Sequence, residues 1–348
     1  MAKKTKNEEK FNYKVEVRKL KDEGPQRLYF LWGQEDYLRE QFLSEMKKTC
    51  LPEGEDSFSF KRIDGTELDY RTLRDAVDAL PFMTDRSFVE VRDAALNDLS
   101  DADKYIRILS DIPDYCTVAF VQNSQYEPDG RLKIVKTLRE KGTELHFTQQ
   151  SQGALVDWII RRFSAAGKSI ELEAAQRLMF ISGELMSGLI PEIEKVAAYT
   201  KGDRVSVADV EAVANHVPEA KIFDMTEFIS QKKYNSAMAV LSELLSDKKQ
   251  EVIPMMAMLG TQMRQLYAAK LSIEKGLGTK YVMEVCSLKY EFVAGKLVAA
   301  ARGFEMAQLK RAVEICTEMD YRLKSSGQND RELMKEAVLR IAAGETGA

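Results

Sequence analysis

The chain has 348 residues, of which 45% are hydrophobic and 30% charged, a composition that can fill packed cores and argues against wholesale disorder. A single core seldom organises a chain of this length, so two or three domains are expected. The formal net charge of −4 argues against a dedicated nucleic-acid coat protein, which would carry a basic surplus.

Strand and helix patterns alternate over the first 150 residues. The first predicted strand, Leu28–Trp32, is a short apolar and aromatic run that ends at Gly33. Because strands that alternate with helices pair in parallel, we predict a parallel, five-stranded sheet covered on both faces. The other predicted strands are 57–62, 88–91, 117–121 and 144–147, and the predicted helices are 35–49, 69–79, 101–110 and 131–141.

Strand patterns fade after residue 150, and only helices are predicted from there to the end of the chain. Shorter helices are expected at 154–166, 172–182, 188–199 and 207–216, and longer ones near 224–245, 252–275, 280–301, 306–323 and 330–343. These patterns predict an α/β domain at 1–150, a small helical domain at 151–218 and an all-α domain at 219–348.

The cysteines and histidines are too scattered to predict a metal site. No two cysteines have the C-x-x-C spacing, and His146 and His216 lie far apart. We expect Cys116 and Cys316 to be buried free thiols. The charged N-terminus lacks an apolar leader segment, and no apolar run approaches the ~20 residues needed to cross a bilayer. These features predict a cytoplasmic protein that has no metal and no membrane partner.

The loop that begins at Gly33 stands where a parallel sheet would bind a nucleotide phosphate. A phosphate-binding loop needs glycine, lysine and a hydroxyl at the positions that hold Leu38, Arg39 and Glu40 here. Leucine blocks close backbone approach, and a carboxylate would repel the triphosphate. We therefore predict a degenerate phosphate loop without a bound cofactor. From these residues alone, Gly33 could equally be a turn glycine of an unrelated α/β protein.

Acidic residues that could hold a metal ion are also missing where the predicted strand 117–121 ends, since Gln122 and Asn123 follow it. No catalytic motif replaces this chemistry elsewhere in the chain. A nucleotide-dependent enzyme with an unconventional site stays open as an alternative. A single-strand DNA-binding accessory protein is a second one, although no basic stripe with interleaved aromatic residues supports it.

Four short motifs are spread over most of the chain. They read YFLWGQEDYL at 29–38, LPFMTDR at 80–86, EIEKV at 192–196 and DYRLKSSG at 320–327. In this order they resemble the delta subunit of the bacterial DNA polymerase III clamp loader. The zinc-binding cysteine cluster of that assembly's other AAA+ subunits is missing, which favours delta. Met83 and Gln34 depart from the commonest form of the family, and neither change is disabling.

The resemblance implies an AAA+-like first domain without a working ATP site, followed by a helical lid domain and a helical collar domain. It implies that the collar joins a five-membered ring with the ATPase subunits and the delta-prime subunit. Within the DNA polymerase III holoenzyme, the protein would bind the ring-shaped sliding clamp and open it for loading onto primed DNA. No catalytic site of its own is expected.

The segment Leu80, Pro81, Phe82 and Met83 matches the hydrophobic wedge that delta subunits insert into the clamp, and the resemblance therefore implies that it binds the clamp. Because Pro81 cannot continue the preceding helix, these residues fall in a helix-to-strand connection. Without the resemblance, the preferred interpretation is that Phe82 and Met83 fold back and plug the bottom of the sheet.

The last motif supplies candidate residues near DNA in the assembled complex, namely Asp320, Arg322 and Lys324. We expect Asp320 to form an ion pair with a neighbouring Arg or Lys inside the collar, and an exposed, unpaired aspartate is nearly as well supported. Lys232 and Lys233, like the pair at 248–249, are interpreted as solvated helix ends rather than as DNA contacts.

Overall fold

The computed structural model describes residues 11–52, 54, 58–247, 251–325 and 327–345. They form two compact units. The first comprises the residues up to Trp158 together with Glu184–Pro191, and the second comprises Ile159–Gly183 and the chain from Glu192 onward. The finer division into three domains at residues 150 and 218 stays a prediction.

The first unit contains a five-stranded sheet in the order β2-β3-β4-β1-β5, in which every neighbouring pair is parallel. The sheet confirms the predicted fold class. The three central strands are buried almost throughout, because both of their faces are covered. The strands are β1 Leu28–Trp32, β2 Phe60–Asp64, β3 Ser87–Arg92, β4 Cys116–Val121 and β5 Thr143–His146.

Two groups of helices cover the sheet. Apolar side chains of α3 to α5, such as Leu73, Ile108 and Leu138, bury one face together with Phe30 and Phe120. The helices α1 and α2 pack against each other, and α2 also contacts β3. Helix α1 was not predicted, because its sequence is charged and buries a single leucine within the helix. The helices are α1 Tyr13–Glu23, α2 Asp36–Cys50, α3 Tyr70–Asp78, α4 Ala102–Ser110 and α5 Lys133–Lys141.

The four short helices predicted after residue 150 are all present. They are α6 Gln152–Ala165, α7 Leu172–Ser182, α8 Met186–Tyr199 and α9 Val207–Val213. The prediction of helices alone was wrong in one respect, since β6 (Ser169–Ile170) and β7 (Arg204–Val205) pair in parallel. Strands of two residues are too short to produce an alternating pattern.

The C-terminal helices pack around α12, which contacts α10, α13, α14, α15 and α16. Two predicted long helices are each divided in two, at turns where Lys232 and Ser287 have a positive φ. The lysine pair at 248–249, which was interpreted as a solvated helix end, lies outside the described residues. The helices are α10 Pro218–Ser230, α11 Tyr234–Ser246, α12 Val252–Lys275, α13 Gly278–Val285, α14 Glu291–Ala301, α15 Met306–Ser325 and α16 Asp330–Ala342. Within the described ranges, no helix is long and apolar enough to span a membrane.

Candidate functional site

The loop after β1 is held against the residue that follows β5. Phe147 donates its backbone N–H to the Trp32 carbonyl at 2.8 Å, and Glu35 donates to the Phe147 carbonyl at 2.9 Å. Gly33 has a φ of +122°, and a Cβ atom there would lie 2.5 Å from the Phe147 oxygen. Only glycine fits this position without strain, because a side chain would collide with fixed backbone. Gly33 therefore serves the close approach of two protein segments.

Arg39, at the position of a phosphate-binding lysine, is turned back onto its own loop. Its Nη1 donates to the Gly33 carbonyl at 2.6 Å, and its Nη2 pairs with the carboxylate of Asp36. The side chain is buried, and Leu38 beside it is buried as well. A guanidinium that already binds these two oxygens inside the protein is not available to a nucleotide phosphate.

Glu40, where a magnesium-binding hydroxyl would stand, forms a bidentate pair with Arg92 of β3. The two hydrogen bonds measure 2.9 and 2.7 Å. Burial raises the pKa of Glu40, but the hydrogen bonds from Arg92 and the positive charges of Arg92, Arg39 and Lys47 together lower the pKa overall. Arg92 also pairs with the fully buried Glu90, whose carboxylate lies 2.7 Å from the Lys47 ammonium. Charges of the protein itself thus neutralise each other on this side of the sheet.

Glu35 is a buried carboxylate that the sequence did not single out. Its Oε1 accepts a hydrogen bond of 3.1 Å from the backbone N–H of Met186, while its Oε2 has no hydrogen-bond partner among the described residues. Burial raises the pKa of Glu35 to about 7, against the lowering effect of the Met186 N–H. Asp36 raises this pKa further, and Arg39 lowers it.

A cleft of about 660 Å³ remains at the carboxyl edge of the sheet. Its lining includes Trp32, whose ring stacks on His146 with ring centroids 3.6 Å apart. Arg139, also in the lining, donates to the Glu144 carboxylate at 3.0 Å. Next to the cleft, Gln122 is buried and donates to the Ala94 carbonyl at 3.0 Å. Apart from Glu127 and the paired Arg139, the cleft is lined by aromatic and uncharged residues, where a triphosphate would need several cations.

The connection between α3 and β3 exposes several large apolar side chains. The exposed fraction is 77% for Leu80, 58% for Phe82 and 76% for Met83. The interpretation that Phe82 and Met83 plug the bottom of the sheet is therefore wrong. Met83 also has a φ of +57°, an unfavourable backbone conformation for a residue with a side chain.

The backbone of this exposed loop is nonetheless fixed. Ser59 is buried, and its hydroxyl both accepts from the Phe82 N–H at 2.9 Å and donates to the Phe82 carbonyl at 3.1 Å. The Tyr115 hydroxyl donates to the Asp78 carbonyl at the end of α3, and Arg86 donates to the Asp114 carbonyl. The loop thus holds apolar side chains in solvent on an anchored backbone.

Phe58 is a member of this surface that sequence reasoning missed. The alternation over 57–62 predicted a strand, but β2 begins only at Phe60, Ser57 lies outside the described residues, and Phe58 is 90% exposed. Its ring meets the Phe82 ring edge to face, with the centroids 5.9 Å apart. The sequence does contain a signal for this surface, because the predicted strand 57–62 holds two phenylalanines and otherwise only polar residues.

The three candidate residues of the last motif lie on α15 and are engaged in ion pairs. Lys324 Nζ lies 2.7 Å from Asp320 Oδ2, so Asp320 does form an ion pair with a neighbouring lysine, but the pair lies on the exposed helix surface and not in the interior as expected. Arg322 pairs with Glu336 at 2.8 Å and also donates to Gln328. Lys232 lies exposed in the turn between α10 and α11.

Two family models match the sequence. The model described as DNA polymerase III, delta subunit, matches residues 29–148, and the one described as DNA polymerase III delta subunit, C-terminal domain, matches residues 219–341. Together they cover more than half of the chain. The chain belongs to the DNA polymerase III delta subunit family. The loop after β1 and the exposed loop before β3 of this delta subunit both fall within the first match.

Individual delta subunits resemble the chain over most of its length. DNA polymerase III subunit delta of Bacillus subtilis (strain 168) is 26% identical over 324 residues, which are 90% of this chain and 91% of that protein. The probable delta subunit of Aquifex aeolicus (strain VF5) is 20% identical over 318 residues, which are 89% of this chain and 90% of that protein. The solved structure of the Bacillus subtilis DNA clamp loader delta protein has a TM-score of 0.47 at 21% identity, covering 94% and 99% of the two chains.

Proposed function

We propose that this delta subunit binds the ring-shaped sliding clamp through Leu80, Pro81, Phe82 and Met83 and opens the ring for loading onto primed DNA. The observation that carries the proposal is the exposure of Leu80, Phe82 and Met83 on one anchored loop. Exposed apolar side chains in such a cluster gain free energy when a partner buries them. An aromatic anchor that fills an apolar pocket of a partner is typically worth ~2 kcal/mol or more.

The chain acts in this proposal without a cofactor and without catalysis of its own. Arg39 and Glu40, at the key positions of the loop after β1, are engaged by Gly33 and Arg92. The energy for clamp loading comes from the ATPase subunits of the same assembly. This arrangement also argues against the alternative of a nucleotide-dependent enzyme.

The division of labour follows the predicted domains. Residues 1–150 contact the clamp, residues 151–218 form the lid, and residues 219–348 form the collar that joins the ATPase subunits and delta-prime in the cytoplasm. Asp320, Arg322 and Lys324 are placed near primed DNA in that assembly by their motif alone. Since Arg322 and Lys324 already pair with carboxylates, their geometry adds no support for a DNA contact.

The direct test is a titration of the purified sliding clamp with the wild-type chain and with a triple variant in which Leu80, Phe82 and Met83 are replaced by alanine. We expect the wild type to bind and to accelerate release of the clamp from circular DNA, and the triple variant to do neither. Tyr234→Ala, which removes an exposed aromatic side chain from α11, is the matched control and should behave as the wild type. Equal clamp affinity of the triple variant and the wild type would refute the proposal.

A further inference from the structure

The exposed apolar side chains of the first unit are concentrated in one place. Among its described residues, six large hydrophobic side chains are exposed: Val15, Phe58, Leu80, Phe82, Met83 and Leu185. Four of these six belong to one surface, because Phe58 contacts Phe82 and lines a groove together with Leu80. Single exposed apolar residues are ordinary on protein surfaces, but a group of four is typical of an interaction site.

Phe58 reaches this surface from a different part of the chain than the other three residues. It stands two positions before β2, whereas Leu80, Phe82 and Met83 lie between α3 and β3. The rings of Phe58 and Phe82 are nearly perpendicular, with an interplanar angle of 85°. This edge-to-face geometry is one of the two that aromatic pairs prefer. The two rings therefore form one preformed aromatic unit.

The connection between the two segments is rigid at its base. Ser59 follows Phe58 directly, and its buried hydroxyl holds both polar backbone groups of Phe82. The Thr84 hydroxyl lies 2.7 Å from the same Ser59 oxygen. A side chain held in place before binding loses little conformational freedom when a partner covers it. The Phe58–Phe82 ring pair is thus held in place before a partner binds.

A groove of about 370 Å³ lies beside the pair. Its lining includes Phe58, Phe60, Ala76 and Leu80, with Lys61 and Asp75 among its polar residues. A protruding aromatic pair next to a groove offers both a convex and a concave element to one partner. Partner side chains that surround an inserted Phe82 would meet both apolar residues and the charged Lys61 and Asp75 in this groove.

We propose that Phe58 is a second aromatic anchor for the sliding clamp, which contacts the clamp beside Phe82 and widens the binding surface to two chain segments. This inference rests on the proposed function, because it takes the clamp as the partner of the loop Leu80–Met83. The partner is specified by its chemistry as an apolar pocket with a rim that covers the Phe58 ring.

The test measures clamp affinity and thermal unfolding for Phe58→Ala, Phe82→Ala and the double variant. Phe58→Ala should weaken clamp binding about tenfold, because a contacting aromatic ring is lost. Its melting temperature should stay at the wild-type value, since the ring is 90% exposed. Phe58→Ala should weaken binding further in the Phe82→Ala background, because the Phe58 ring touches the clamp itself. Tyr234→Ala again serves as the control for removal of an exposed aromatic ring.

The outcomes separate the two proposals. If Phe82→Ala loses affinity while Phe58→Ala binds as the wild type, the second anchor is refuted and the proposed function stands. If neither variant loses affinity, the proposed function itself fails. A Phe58→Ala variant that loses affinity and also melts early would show that Phe58 acts through the fold, which would equally overturn its role as an anchor. No added effect in the Phe82→Ala background would reduce Phe58 to a support for Phe82, contrary to the proposal.

Discussion

The loop after β1 and the loop before β3 differ in which of their side chains find a partner within the protein. After β1, Arg39 binds the Gly33 carbonyl, Glu40 binds Arg92, and the cationic and anionic side chains face each other. Before β3, Ser59 fixes the backbone of Phe82, but the Phe82 and Met83 side chains remain in solvent. The loop after β1 is closed in the sense that its charged side chains bind groups of the protein itself, and the loop before β3 is open in the sense that its backbone is ordered while its apolar side chains stay exposed.

This difference indicates where a partner can gain free energy. A ligand at the closed loop would have to break the ion pairs of Arg39 and Arg92, whose partners Asp36 and Glu40 are partly exposed, and would leave the buried Arg39 without its carboxylate. A partner at the open loop removes apolar area from water and breaks nothing. The delta subunit is therefore expected to act by contact at the second loop, as the proposal for the clamp requires.

The closed loop is most directly broken at Gly33. We expect Gly33→Ala to destabilise the protein by about 3 kcal/mol or more, because the new Cβ would collide with the Phe147 backbone at a positive φ. Urea unfolding measures this change. Gly153→Ala is the matched control, since a Cβ there meets no atom within 4 Å and the residue lies in α6. Equal stability of the two variants would contradict the close approach as the role of Gly33.

We expect the buried Glu35 to make the free energy of unfolding depend on pH. The pKa of Glu35 is raised from 4.5 to about 7 in the folded protein, because burial disfavours the carboxylate. With respect to Glu35, the folded state is therefore most stable below pH 4.5, and this stability is lost as pH rises from 4.5 through 7. Glu35→Gln should remove this dependence. Relative to the variant, the wild type should lose on the order of 3 kcal/mol between pH 5 and pH 8, measured by urea unfolding. A stability difference that is the same at both pH values would contradict this assignment.

The anchoring of the open loop can be weakened without touching its exposed side chains. Ser59→Ala should reduce clamp affinity by roughly 1 kcal/mol, because the Phe82 backbone loses its hydrogen bonds and the ring its fixed position. The same substitution should have little effect on affinity when Phe82 is already alanine. Titration of the clamp with the single and double variants measures this coupling, and an undiminished effect in the double variant would argue against a positioning role.

The smallest expected effect is that of ATP. The wild-type chain should show no saturable binding of ATP in the presence of magnesium, because Arg39 and Glu40 are engaged within the protein. Isothermal titration calorimetry of the chain alone measures this. Micromolar binding would show that the side chains of the closed loop rearrange for a nucleotide.

The sequence predicted the sheet because short apolar or alternating runs stand between helices of regular period. It also predicted a degenerate phosphate loop, since that prediction needs only the residue identities at positions 38–40. The breaks at Lys232 and Ser287 were missed because the connections 231–233 and 286–290 are too short to interrupt a helical pattern. Such turns are stabilised by packing that the pattern does not contain.

Much of the site depends on contacts between distant residues and could not be read from the chain. The burial of Glu35 requires the Met186 backbone, which lies 151 positions away. The exposure of Phe58 depends on where β2 begins, and element ends are poorly defined by periodicity. The motif at 80–86 located the exposed loop, but only the structure distinguished exposure of Phe82 from burial.

The most direct test of the account measures Phe82→Ala in two ways on the same preparation. Clamp affinity should fall roughly thirtyfold, which corresponds to ~2 kcal/mol. The melting temperature should hardly change, because Phe82 is more than half exposed. If Phe82 were instead a core residue, the variant would lose about 3–5 kcal/mol of stability. A Phe82→Ala variant that melts early and still binds the clamp as the wild type does would contradict the central claim.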